Sequence, residues 1–437
     1  MSSDPPAVSI GVDFGTSNTV VALATGDGRV DTVRFAHGGA TQSVYASALC
    51  FWQEPSRRGL PPGVEGGPWA IERMIQHSGA LRFLQSFKTL AASRNFQSTA
   101  IFQQRFQFED MLATFLRTLM RHAGGRLDLA NASVTVGRPV RFAGAAPDDA
   151  LAMQRYREGL ARLGVARPRF VFEPVGAAFA FARGLEGDAT VLVADFGGGT
   201  SDFSILRFSR AAGVLRADPL GFSGVGVAGD SFDSRIVDHV VAPRLGKNGL
   251  YRSFGKLLAL PKHYYGKLTR WHELALMKAG ADLRELRELA RAAVDPAPLD
   301  DFIEIIERDL GYSLYRAVSE AKLALSARDA VEFRFAEGDI DIRAPIARSE
   351  FEGWIAKDLA RIDAAVDDVL RQATMAPQAV DRVFLTGGTS FVPAVQRLFA
   401  ERFGDAKLTS ADQFESIASG LALIGRSDDP DQWAVRP

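Results

Sequence analysis

A chain of 437 residues is longer than one hydrophobic core usually supports, so two or more lobes are expected. Apolar residues make up 47% and charged residues 24%, an ordinary globular balance, and a net charge of −1 gives no overall field to recruit nucleic acid or an anionic membrane. The single cysteine, Cys50, excludes an intrachain disulfide and points to a reducing, cytoplasmic compartment. "MSSDPPAVSI" has neither the basic start nor the apolar core of a signal peptide, and no run approaches the roughly 20 apolar residues of a spanning helix.

In chain order the pattern is mixed α/β. "VSIGVDFGTSNTVVALA" reads as strand, tight turn, strand, and "TVRFA" adds another strand. Residues 53–68, rich in proline and glycine, read as a surface loop. Apolar spacing of three and four predicts a helix over 106–122. "ASVTVGRPV" is a strand, a helix follows over about 148–163, and "PRFVFEP" is a short strand ending at Pro174. "VGAAFAFARG" is a helix stopped by Gly184, and "VLVADFGGGTSDFSIL" is a second hairpin. Residues 245–300 are irregular, basic and aromatic, with two short helices. A long helix is expected over 301–326, then the strands "AVEFRF" and "IDIRAPI", and a helix to about 373. "DRVFLTGGTSFVPAVQRLFAERF" is strand, glycine turn, helix; "ESIASGLALIGR" is a last helix before a short polar tail. The expected division is a lobe over 1–184 with an insert at 36–105, a lobe over 185–425 with an insert at 240–330, and the tail 426–437.

One pattern repeats. "IGVDFGTSNTVVAL" and "VLVADFGGGTSDFSIL", 182 positions apart, share strand, Asp-Phe-Gly, a small-residue turn and a second apolar strand. Two copies suggest a duplicated domain with both turns at one cleft. Turns of small residues present consecutive backbone N–H groups to an anion, and Thr16, Ser17, Thr200 and Ser201 add hydroxyls. Glycine also permits positive φ there. Asp13 and Asp195 end the strands, and two carboxylates beside a polyphosphate require a hard cation such as Mg²⁺ between them. A third turn, "TGGTS" at 386–390, lies between a strand and a helix and can bind an anion or ribose. No Walker-type loop is present. Taken alone, a glycine-rich turn reads first as a plain hairpin turn, and it is the second copy that turns the reading toward a phosphate site.

The order "GVDFGTSN", "EPVGAA", "DFGGGTSD", "AGDSFD" and "TGGTSFVP" resembles the seventy-kilodalton heat-shock chaperones (DnaK-like) of the actin-like ATPase superfamily, over nearly the whole chain. "VGRPVRFAG" and "YRAVSEAKLALS" are similar to the short YegD-like branch, which lacks the peptide-binding domain. The resemblance implies an actin-like, ribonuclease H-like duplicated α/β fold that binds ATP/ADP and Mg²⁺. By it, Asp13 and Asp195 hold the hydrated metal and polarise the attacking water. Gly15, Thr16, Ser17 and Asn18 line the β- and γ-phosphates, and Gly197, Gly198, Gly199 and Thr200 wrap them from the other side, Thr200 standing with the catalytic set. Asp202 supports that loop. Glu173 sits near metal and nucleophile, and Lys88 neutralises charge on the transferred phosphoryl group. Lys88 in "LQSFKTL" is otherwise a solvated surface lysine, and Pro139, matched to a hinge switch, is otherwise a strand-ending proline. Gly229 and Asp230 match a contact to β-phosphate and ribose, Asp230 being otherwise a helix N-cap. Lys322 and Ser326 match positions at ribose and base; Gly387, Gly388 and Thr389 complete the nucleoside pocket.

Two departures stand out. Leu323 and Phe391 replace two arginines that sandwich adenine in the chaperones, so the base is held by stacking and burial without a cation–π contribution, unless both are core residues. "RSDDPDQWAVRP" replaces the apolar linker and peptide-gripping β-sandwich, so the expectation is a slow ATPase that acts through a separate protein partner or co-chaperone. A sugar-type kinase of the same fold, a non-catalytic nucleotide sensor and an actin-like scaffold stay open. His263 and His272 have no zinc spacing, and Cys50 reads as a small buried hydrophobe.

Overall fold

The computed structural model describes residues 8–26, 28–53, 61–76, 81–142, 146–182, 187–211, 214–269, 273–274, 277, 281–410, 415–427 and 429–435. Met1–Ala228, Ile362–Ser390 and Arg397–Pro437 form one compact unit; Gly229–Arg361 and Phe391–Gln396 form a second.

Two five-strand paths with the same order lie in the first unit. The first is built from β1 (Val8–Phe14), β2 (Asn18–Thr25), β3 (Val30–Thr32), β4 (Ser133–Arg138) and β5 (Arg169–Phe172), ordered β5-β4-β1-β2-β3. The second is built from β6 (Ala189–Phe196), β7 (Ser201–Ala211), β8 (Val214–Val225), β9 (Arg382–Thr386) and β10 (Leu408–Ser410), ordered β10-β9-β6-β7-β8. In each, the first strand pairs antiparallel with the second and parallel with the fourth. The apolar runs "SIGV" and "VLVA" are buried on both faces, as the central strand of a covered sheet requires.

Helices repeat the same plan. α1 (Phe108–His122) and α2 (Asp149–Ala161, capped by the Asp148 side chain on Leu151 N at 3.0 Å) pack against the first sheet's core. α3 (Glu173–Ala182) follows the last strand of the first sheet, and α6 (Glu415–Ile424) follows the last strand of the second; α4 (Gly229–Ile236) and α5 (Gly311–Ala327) lie in the second unit. α3 and α6 pack on each other and exchange sheets. Val175, Ala178 and Phe179 of α3 join Val191, Val193 and Leu206 of the second sheet. Ala418 and Ala422 of α6 join Val20, Ala22 and Ala24 of the first. The helix seam is so close that a Cβ on Gly420 would lie 1.7 Å from the Gly176 carbonyl oxygen.

Several elements differ from expectation. "TVRFA" is divided between β3 and a separate strand, Phe35–His37, paired with Ala40–Gln42. The presumed loop 53–68 contains a strand, Gly63–Gly66, and a helix beginning at Gly67; residues 54–60 lie outside the described residues. The long helix of 301–326 is two helices, Ala297–Glu307 and α5, because Asp309 takes a left-handed φ of 56°, which aspartate tolerates better than most residues. Residues 245–300 contain a hairpin, Leu250–Ser253 with Lys256–Ala259, that periodicity missed. β5 stops at Phe172, and Glu173 with Pro174 opens α3, where a proline costs no hydrogen bond. Gly184, the expected helix stop, lies outside the described residues. The polar tail is docked: Trp433 is buried against Phe179 and Val435 N donates to Phe170 O at 2.8 Å.

Candidate functional site: two equivalent turns around buried carboxylates

The two hairpins match residue for residue. Gly15 N donates to Asn18 O and Gly197 N to Thr200 O, each at 2.9 Å. Asp13 pairs with Val20 and Asp195 with Asp202 at the same step of the ladder. Among the described hydrogen bonds none uses the amides of Thr16, Ser17, Gly198 or Gly199, so both turns hold backbone donors in reserve. Neither Gly15 nor Gly197, Gly198 or Gly199 takes a left-handed φ, which corrects the sequence argument that positive φ selects glycine there. The third turn does need it. Gly387 has φ 85°, and a Cβ there would meet Phe196 O at 2.1 Å, so "TGGTS" folds directly against the end of β6. Residues Gly388–Phe391 are a single 3-10 turn between β9 and the helix that begins at Pro393, so the turn lies between a strand and a helix as expected.

Behind the turns lies a set of carboxylates with one cation. Lys88 is only 8% exposed and donates to Glu173 Oε1 at 2.8 Å, so it is not a solvated surface lysine. It rides on a 3-10 turn, Phe87–Leu90, whose Phe87 ring packs on Phe14 at 5.5 Å, next to Asp13. Burial is the largest single influence and works against the ammonium, but Glu173, Tyr156 and Asp13 together hold the Lys88 pKa above the ordinary lysine value. Burial, then the Glu173 charge, pushes the Asp13 carboxyl up to about 7 against the pull of Lys88. Asp195 is raised by burial and then by Glu173, Asp13 and Asp202. Asp202 is pushed up to about 7 by burial and Glu173, while its bond from Thr200 opposes the shift. Its Oδ2 accepts from Thr200 Oγ1 at 3.0 Å, and Oδ1 accepts from Val140 N at 3.1 Å, so it ties the second turn to the segment after Pro139.

This excess of buried negative charge fits a hard cation. Among the described residues no group of three or more His, Cys, Asp or Glu could hold a metal directly. The donor set therefore suits an ion held largely through water and by at most two carboxylates, Asp13 and Asp195.

Six expected positions belong to the second unit. Lys322 pairs with Asp233 at 2.9 Å and donates to Gly229 O at 3.2 Å; Ser326 Oγ donates to Lys322 O at 3.4 Å. Asp230 is exposed in the first turn of α4, and among the described residues no amide donates to its side chain, so the N-cap alternative fails. Leu323 is 66% exposed and Phe391 half-buried, which removes Leu323 from any core. Sequence reasoning missed Ser47, whose hydroxyl donates to Gly15 O at 2.7 Å and whose amide donates to Ser17 O at 2.8 Å, bracing the first turn by its carbonyls. It also missed Tyr156, whose buried hydroxyl has no hydrogen-bond partner among the described residues, and Arg138, which donates to Pro139 O, Val140 O and Asp149. The His263 ring lies tilted beside that of Tyr264, and His272 lies outside the described residues. Cys50 is buried, and burial pushes its thiol up to about 11, as expected for a small hydrophobe.

Two sheets of identical order, joined by crossed helices and each ending in an Asp-Phe-Gly turn, define a duplicated actin-like ATPase fold. A family model described as Hsp70 protein matches residues 87–253 and 307–432, more than half of the sequence, and the chain belongs to the Hsp70 family. Among curated proteins it is 24% identical over 432 residues to the chaperone protein DnaK of Thermus thermophilus, covering 95% of this chain and 60% of that one. It is 26% identical over 432 residues to a chaperone protein HscA homolog of Verminephrobacter eiseniae, and 26% over 421 residues to DnaK of Thermotoga petrophila, in each case over 95% of this chain and 58% of the relative. The chain thus spans about three-fifths of the length of these relatives. No described helix is long and apolar enough to cross a membrane.

Proposed function

We propose that the chain binds ATP with Mg²⁺ and hydrolyses it slowly to ADP and phosphate, acting on or through a separate protein partner in the cytoplasm. The observation that carries this reading is the pair of equivalent turns with unspent amides, set before carboxylates that one lysine does not balance. The amides of Thr16, Ser17, Gly198 and Gly199 and the hydroxyl of Thr200 take the phosphate oxygens. Asp13 and Asp195 hold the hydrated cation, which supplies charge neutralisation to the β- and γ-phosphates. Lys88 is held by Glu173 and offers its ammonium to charge developing on the transferred group. Asp202 keeps Thr200 and the 139–141 segment in register, which gives Pro139 a means to sense the phosphate turn. Lys322, Ser326, Gly229, Gly387, Gly388 and Thr389 are assigned to ribose and base by resemblance, with Leu323 and Phe391 as apolar base neighbours.

The test measures ATP and ADP affinity by calorimetry and phosphate release for wild type, Asp195→Asn and Lys88→Ala. Lys88→Ala lowers release about 100-fold with ATP affinity within a few-fold, and Asp195→Asn abolishes Mg²⁺-dependent tightening. Wild-type release in both variants overturns the catalytic assignments. The exposed Leu323 favours a second reading, a nucleotide sensor without turnover. Tight ATP binding with no phosphate release over hours would select it.

A further inference from the structure

Arg155 lies on α2, is 9% exposed, and pairs with no acid among the described residues. Its guanidinium is spent on backbone carbonyls of one segment. Nη1 donates to Leu90 O and Ala91 O at 2.9 Å and to Ser93 O at 3.1 Å, and Nη2 donates to Phe96 O. The guanidinium also lies 5.9 Å from the Phe96 ring centroid. These are the residues that continue the Lys88 turn, entered through Ser86 in a left-handed φ of 53° and closed by Ala91 N on Lys88 O at 3.1 Å. The start of α2 holds the same segment a second time. Asp148 N donates to Ala92 O at 2.9 Å, and Arg94 Nε donates to Asp148 Oδ2 at 2.8 Å.

α2 is itself registered against the site. Tyr156, the next residue, packs on Phe14 at 6.0 Å, and Arg138 holds Asp149 at 2.7 Å. A segment whose own backbone bonds are all local turns is thus hung from a helix that is fixed to the strand carrying Asp13. Arg155 is the hook, and a planar fork with five donors can reach four carbonyls where an ammonium cannot.

We propose that Arg155 is a positioning residue that sets the height and direction of Lys88 by holding segment 87–96, a proposal that rests on the reading of Lys88 as catalytic. Arg155→Ala takes the donor from the Ala91 and Phe96 carbonyls and a second donor from those of Leu90 and Ser93, which threatens the fold, so the working variant is Arg155→Lys, which keeps charge and bulk. Hydrogen exchange by mass spectrometry reads the segment directly, and Arg155→Lys speeds exchange in 89–96 by about 10-fold or more with α2 itself unchanged. Phosphate release falls about 10-fold while ATP affinity stays within a few-fold. In a Lys88→Ala background the same substitution lowers release no further, because its effect passes through Lys88.

Unchanged exchange in 89–96 overturns the proposal. So does an equal loss of release with and without Lys88, which a purely structural role would give. If Lys88→Ala alone keeps wild-type release, the catalytic reading of Lys88 fails instead, and exchange alone decides whether Arg155 holds the segment.

Discussion

Asp202 shows how a single carboxylate serves the site at the expense of stability. It is fully buried, bonded to Thr200 and to the Val140 and Arg141 amides, and raised to about 7 from an ordinary value of 3.8. An acid with a raised folded pKa stabilises the fold fully below 3.8, and that contribution is lost as pH climbs to about 7. Asp202→Asn keeps the shape and can still accept from Val140 N. In the presence of a chelator this variant is expected to melt several degrees above wild type at pH 8, with the advantage gone by pH 4, while phosphate release drops. A melting temperature equal to wild type at pH 8 would show that the buried charge is balanced by something else. At this scale sequence and structure part for a definite reason. Asp13, Asp195, Thr200 and Asp202 sit in local runs whose composition announces a turn. Ser47 and Arg155 act on segments about 32 and 64 residues away along the chain, and nothing in their own neighbourhoods marks them.

Elements were legible where periodicity was unbroken, as in α1 and in the paired strands of both hairpins. They were misread where one residue changes the backbone: Asp309 divides a helix, and Glu173-Pro174 begins one where a strand seemed to end. The seam of α3 and α6 is invisible in sequence, because its defining feature is a glycine on each helix meeting across about 244 residues. Gly420→Ala places a methyl group inside a carbonyl of Gly176, and neither backbone can yield without moving a sheet. A loss of about 3 kcal/mol or more is expected from urea unfolding. A loss below about 1 kcal/mol would mean the helices can slide apart freely.

Across the molecule the 182-residue echo correctly signalled duplication, and the matching strand orders extend it to whole sheets. What the echo could not convey is the exchange of helices. Each half's last helix lies on the other half's sheet, so neither half owns a complete core. As a ribosome releases this chain, β1 and β2 emerge long before Ala418 and Ala422, which cover them. The first sheet therefore keeps an apolar face bare until α6 has been made, and a growing member of a chaperone family itself needs shelter over that interval.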